Sequence, residues 1–249
     1  MKLNTRIWLP LAVLALGGAV GAAAQAQDRQ ELREALAAEE RSAEDKARDA
    51  ESKPIEVLEF LGVESGMTAL DIIAAGGYWT EVLSAAVGPD GKVYKQNPEF
   101  FLQRGGDEFL QNEQAMVERL GNVEPIHGDL QDSSLSEDVD VAITSMNYHD
   151  VYNRGGDEAG TAFLEGVYDV LKPGGVLGVI DHVGIAGQDN AAFHRVEVDA
   201  VKRTLEAAGF TVEEESDLLA NPEDDHTRNI RDDSLDRTDK MLIRARKPM

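Results

Sequence analysis

Cysteine is absent from the 249 residues, which excludes disulfides, thiolate metal sites and cysteine nucleophiles together. Positive charge is scarce: 24 Lys and Arg stand against 47 Asp and Glu, a formal net charge of −23. Such a surface repels phosphate backbones, so nucleic acid is not expected as a partner. Aromatic residues make up only 6%, and no aromatic ladder or basic groove marks a substrate. Long apolar runs are missing beyond the first two dozen residues, which excludes a multi-span membrane protein. There is no internal repeat.

What is present is the composition of a folded chain, 42% hydrophobic and 29% charged, with length enough for one large domain. Its first segment reads as an address. Lys2 and Arg6 precede the apolar stretch Ile7 to Val20, and Ala24-Gln25-Ala26 supplies a small-residue cleavage site. This is the pattern of a secretory signal peptide over residues 1–26. The alternative is an uncleaved anchor; Pro10 and the shortness of the run favour removal and a periplasmic or secreted protein. Residues 27–53 form a helical arm whose apolar face is mostly alanine, expected to pack weakly. Lys53-Pro54 breaks that pattern and opens the main domain, residues 54–249, with a helix Ile55 to Leu61.

From there strand and helix patterns alternate. Thr68 to Ala74 is a continuous apolar run suited to a buried parallel strand. A helix Tyr78 to Val87 follows, then a strand Lys92 to Asn97 and a largely helical stretch Glu99 to Leu120. Val123 to Gly128 and Val139 to Asn147 read as strands three and four. A helix from Asp157 to Leu171, a strand Val176 to Val183, a helix Ala191 to Ala208 and two strands, Phe210 to Ser216 and Lys240 to Lys247, complete the series. The acidic stretch before the last strand reads as a solvated loop or a lid over the site. Alternation of this kind predicts a mostly parallel, doubly wound sheet, with ligands beyond the carboxyl ends of the strands.

The residues just after those strands carry the chemistry. Asp71 ends the first strand and runs into Ala74-Ala75-Gly76-Gly77-Tyr78, small residues that let a ligand approach the backbone at a helix start. The G-x-G-x-x-G spacing of dinucleotide dehydrogenases is missing. His127-Gly128-Asp129-Leu130 follows strand three, and Leu171-Lys172-Pro173-Gly174-Gly175 precedes strand five.

Taken together these segments resemble the class I S-adenosylmethionine-dependent methyltransferases over about residues 54–248. The similarity looks greatest to a group of secreted methyltransferases with a turn like GGYWTE, a segment like GPDGKVY and an NYHD run. The resemblance implies a Rossmann-like seven-stranded sheet with the last strand antiparallel, S-adenosylmethionine as cofactor and a small-molecule acceptor. It implies that Asp71 and the turn Ala74, Ala75, Gly76, Gly77, Tyr78 face the amino-acid part of the cofactor. Asn97 stands where the family usually has the acid that binds the ribose, and Ile73 and Ala75 stand where it usually has glycine. Asp129 and Leu130 are implied at the adenine, and Asn147 near the methionine end.

Asn147-Tyr148-His149-Asp150 follows strand four, at the mouth where an acceptor approaches. An imidazole titrates near neutrality, so His149 is the candidate base, with Asp150 or Tyr148 orienting it or the substrate. The alternative is a His149 that caps the strand through the backbone. His149, Asp150, Asp181 and His182 offer ligand types that suit divalent ions. Nothing in their spacing demands a site, and no metal is expected. The competing reading is a periplasmic binding protein that keeps the fold without catalysis.

Overall fold

The computed structural model describes residues 29–232, 234–235 and 237–249; the expected export segment lies outside the described residues. Helices α1 (Ala43–Ser52) and α2 (Pro54–Leu61) lead into an alternating series. It runs β1 (Thr68–Ile72), α3 (Tyr78–Val87), β2 (Lys92–Asn97), α4 (Glu99–Leu120), β3 (Val123–His127), β4 (Val139–Ser145), α5 (Tyr148–Val170) and β5 (Leu171–Gly184). The chain ends with α6 (Asn190–Phe193), β6 (Val196–Glu197), α7 (Val198–Ala207), β7 (Thr211–Ser216) and β8 (Lys240–Arg246).

Strand order is β3-β2-β1-β4-β5-β8-β7, parallel except for β8, which runs antiparallel to both neighbours. The two-residue β6 adds an eighth, short strand beside β5 to the seven expected. Alternate residues of each central strand face opposite layers. Leu70 and Ile72 pack with Leu164, Val201 and Leu205 of α5 and α7. Ala69, Val141 and Ile143 pack with Val57, Leu61 and Leu83 of α2 and α3. Both faces are covered, which is why these strands read as unbroken apolar runs. Strand order reverses between β1 and β4, and their carboxyl ends open the crevice that holds the site.

Three expectations need correction. The helix expected from Asp157 starts at Tyr148 and kinks at Gly156 (φ 63°, ψ −147°), so the NYHD run lies in its first turn. Gly155-Gly156 hid that continuity. The helix expected over Ala191 to Ala208 is interrupted: His194 adopts left-handed φ 54°, and Arg195 turns inward before α7 begins. The strand expected from Val176 starts at Leu171, because Leu171 already pairs with Val139 and the LKPGG turn, with Gly174 at φ 81°, is taken up as a register shift against β4.

The arm also departs from expectation. Helix α1 buries no residue of its own, yet it is fixed by charge. Arg41 is buried, donates to the Leu36 carbonyl and forks onto Asp49. Its Nε lies 3.6 Å from Glu81 of α3. Polar docking thus joins the apolar packing of the arm, in which Leu36 is buried in the core and Leu32 packs against it.

Candidate active site

The loop leaving β1 holds a backbone that favours glycine at alternate positions. Ile73, Ala75 and Gly77 have φ of 54°, 48° and 91°. At Gly77 an added Cβ would also meet Met116 Sδ at 2.7 Å, a flexible side-chain end that can give way, so the positive φ is what favours glycine there. Left-handed backbone costs an ordinary residue roughly 1–2 kcal/mol, and a β-branched one is an outlier. The neighbouring strand tips hold the loop in place. Gln96 Oε1 accepts from Ile73 N at 2.9 Å, and Asn97 Oδ1 accepts from Ala75 N at 2.8 Å. Asn147 Nδ2 donates to the Ile73 carbonyl at 3.2 Å.

Ala75→Gly is therefore expected to stabilise the protein by about 0.5–1 kcal/mol, the relieved strain exceeding the added unfolded-state entropy. Urea denaturation checks it; a loss of stability would mean that this backbone strain is absent in solution.

A cavity of about 190 Å³ opens on this loop, lined by Asp71, the segment Ile73 to Trp79, and Ser145, Met146 and Asn147. Arg48 of the arm closes one side, its guanidinium 4.1 Å from the Tyr78 ring centre. The Tyr78 hydroxyl donates to Asp49 at 2.8 Å, and burial pushes its phenol well up from the ordinary range. The Asp71 carboxylate is 2% exposed and accepts from Thr80 Oγ1 at 2.6 Å. Burial raises its pKa to about 6, against the opposing pull of Thr80 and Lys95. A second cavity of about 370 Å³ shares Arg48, Trp79, Ser145 and Met146 with the first. It extends over Ile180 and Lys240 and under α1.

Asp71, Ala74, Ala75, Gly76, Gly77, Tyr78 and Asn147 all line the smaller cavity. Asn97, Asp129 and Leu130 line neither cavity. Asn97 is fully buried with its oxygen turned back onto Ala75, and its Nδ2 has no partner among the described residues. Leu130 belongs to the core, and Asp129 lies exposed beside it. The β2 and β3 tips are instead tied to α4: Lys95 Nζ is 2.8 Å from Glu113 Oε1, and His127 Nε2 is 2.6 Å from Oε2. Sequence reasoning missed Arg48, Ser145 and Met146. Arg48 lies in a segment whose composition said only that it was helical and solvated.

The NYHD run divides. Tyr148 is a correction: its phenol turns into the core, 2.5 Å from Thr204 Oγ1, and burial raises its pKa to about 12. A group so enclosed packs α5 against α7 and cannot meet a substrate. His149 is also buried. Its Nδ1 lies 2.7 Å from Asp181 Oδ1, and its backbone N–H donates to Oδ2 at 2.8 Å. Burial opposes the charged imidazole, but the hydrogen bond and charge of Asp181 outweigh it and raise the His149 pKa. The other nitrogen, Nε2, faces Asp150 Oδ1 at 3.7 Å. That same oxygen is 3.2 Å from His194 Nδ1. His182 points elsewhere, with Nδ1 2.8 Å from Thr238 Oγ1, and burial lowers its pKa to about 4. None of these histidines lines either cavity.

No family model and no curated protein matches the chain. Solved structures do. A SAM-dependent methyltransferase from Aquifex aeolicus aligns with TM-score 0.58 at 23% identity, over 81% of this chain and 93% of that one. The arsenic(III) S-adenosylmethionine methyltransferase of Chlamydomonas reinhardtii aligns with TM-score 0.55 at 18% identity, over 88% and 73%. The [4+2]-cyclase SpnF aligns with TM-score 0.60 at 17% identity, over 90% and 94%. With its strand order, antiparallel β8 and crevice at the β1–β4 switch, this chain has the class I S-adenosylmethionine-dependent methyltransferase fold.

Proposed function

We propose that this chain is an exported S-adenosylmethionine-dependent methyltransferase acting on a small-molecule acceptor. One observation carries the reading: Ile73 and Ala75 hold the left-handed backbone of glycines, beside the buried carboxylate of Asp71. Strain of this kind persists where surroundings over-determine it, and it concentrates at ligand clamps. The arrangement fits the amino-acid end of the cofactor.

When bound, S-adenosylmethionine supplies an electrophilic methyl group on a sulfonium. The chain's own contribution is positional. The 73–78 loop and Asp71 hold the amino-acid portion, and Asp71, charged above its pKa of about 6, complements a cation. The larger cavity lies over the tips of β4, β5 and β8, roofed by α1. Its size suits a small acceptor, with Trp79 and Ile180 offering apolar contact and Lys240 a charge. Export rests on Lys2, Arg6, the apolar run and Ala24-Gln25-Ala26.

A second reading, a ligand-binding protein without methyl transfer, is favoured by Asn97, Asp129 and Leu130 lying off the cavity, and a cyclase shares the fold. Calorimetric titration with S-adenosylmethionine and S-adenosylhomocysteine separates the two. Saturable micromolar binding of either is expected. A folded sample that takes up neither leaves only the binding-protein reading.

A further inference from the structure

We propose that His149, Asp150 and His194 form a binding site for a divalent transition-metal ion, zinc being the best match. Asp181 acts behind it as the positioning carboxylate for His149. The ligand atoms of the three residues lie within 4.8 Å of one another. The site is separate from both cavities, and it does not depend on S-adenosylmethionine being bound.

The argument starts from the buried imidazole. Asp181 is fully buried and receives His149 Nδ1 at 2.7 Å and the His149 backbone N–H at 2.8 Å. A carboxylate at Nδ1 fixes one proton there and leaves the Nε2 lone pair to take a second proton or a metal ion. That lone pair faces Asp150 Oδ1 at 3.7 Å. Two acceptors directed at each other repel unless a cation, a proton or a metal ion, lies between them.

His194 adds the third donor. Its Nδ1 is 3.2 Å from the same carboxylate oxygen, and its ring stands edge-on to His149 at 5.7 Å between centres. Ligands about 2.0–2.2 Å from one ion lie roughly 3–3.6 Å apart, so two of the contacts are already near that spacing. The remaining adjustment falls to His194, on the partly exposed corner between α6 and β6. Two imidazoles and one carboxylate with open positions suit zinc and other first-row divalent ions. A carboxylate behind a ligating histidine is the usual support for such a site. The partial exposure of Asp150 and His194 gives the ion a way in.

The test uses the folded protein stripped with chelator, loaded with zinc or with cobalt(II) as a spectroscopic probe, and gel-filtered in millimolar calcium. One retained equivalent of zinc and visible cobalt absorption bands are expected. Asp150→Asn and His194→Ala, at partly exposed positions, should each abolish retention while the circular dichroism stays unchanged. Asp181→Asn should weaken affinity about 10- to 100-fold. Sub-stoichiometric zinc, or zinc displaced by calcium, would mean adsorption to the acidic surface. Retention undiminished in a His149→Ala/His194→Ala double variant overturns the proposal equally. Binding of S-adenosylmethionine is measured separately, so failure of either reading leaves the other testable.

Discussion

Replacing Asp224 by alanine is expected to destabilise the protein by about 3–5 kcal/mol, because it leaves a buried guanidinium without its counter-charge. Arg195 and Asp224 both have side chains at 0% exposure. They meet as a fork, Nη1 to Oδ2 at 2.8 Å and Nη2 to Oδ1 at 3.1 Å. The remaining donors are satisfied locally: Nη1 also reaches the Val183 carbonyl, and Nε the Arg228 carbonyl. Asp224 additionally accepts from the backbone amides of Asp239 and His226 at 2.7 and 3.0 Å. Burial opposes its charge, but these hydrogen bonds outweigh it and hold its pKa below the ordinary value. The folded-state pKa being depressed, this contribution is present above the unfolded pKa and is lost as the pH falls through the folded one. Urea denaturation at neutral pH measures the cost. A change smaller than about 1 kcal/mol would show that the pair is solvated. A double variant, Arg195→Met with Asp224→Ala, should recover much of the loss, since removing both charges removes the desolvation problem.

This pair also decides how the acidic stretch before β8 behaves. A solvated loop or a free lid was expected. Instead Asp224 ties it to the ends of β5 and β6, and Asn221 and His226 both bind Asp239 across its base. The segment is anchored, and the larger cavity takes in only its flanking residues Leu219 and Lys240.

Much of the architecture was legible because it depends on local patterns. Buried parallel strands demand continuous apolar runs, and β1 and β4 supply them. The β1 loop was legible as a ligand-facing turn from its small residues. Its strain was not fully legible: Ile73 argues against a left-handed backbone, and three hydrogen bonds, from Gln96 and Asn97 of β2 and from Asn147 beyond β4, hold the loop in it. The reversal of Asn97 toward Ala75 has the same origin, since the loop amide needs an acceptor once it is buried. What could not be read were contacts between charges distant in sequence. Arg195 meets Asp224 across 29 residues, and Asp150 meets His194 across 44. Nothing local in either partner announces the other. For the same reason the helix expected through His194 breaks. Burying Arg195 against a partner on another loop outweighs the helix propensity of the residues around it.

Asp71→Asn provides the second large effect, and it separates a functional acid from a structural one. Burial raises the Asp71 pKa from 3.8 to about 6. The folded state therefore binds its proton more tightly than the unfolded chain does. Stability associated with the neutral acid is present at low pH and is lost as pH rises between those values. Above pH 6 the enclosed charge costs the fold about 3 kcal/mol. Asparagine keeps an oxygen to accept from Thr80 Oγ1 and removes that charge. The variant is expected to exceed the native protein by up to about 3 kcal/mol more at pH 8 than at pH 4. The native-minus-variant difference cancels every other titrating group. At the same time its affinity for S-adenosylmethionine should fall about 10- to 100-fold, the loss of one hydrogen bond to a charged group. The stability half follows from burial alone, so cofactor binding is the half that decides: a carboxylate kept only for structure would leave it unaltered. Destabilisation at every pH, with cofactor binding unaltered, would assign Asp71 to the scaffold. Greater stability together with weaker binding would mean that the fold tolerates an unfavourable buried charge because a ligand uses it.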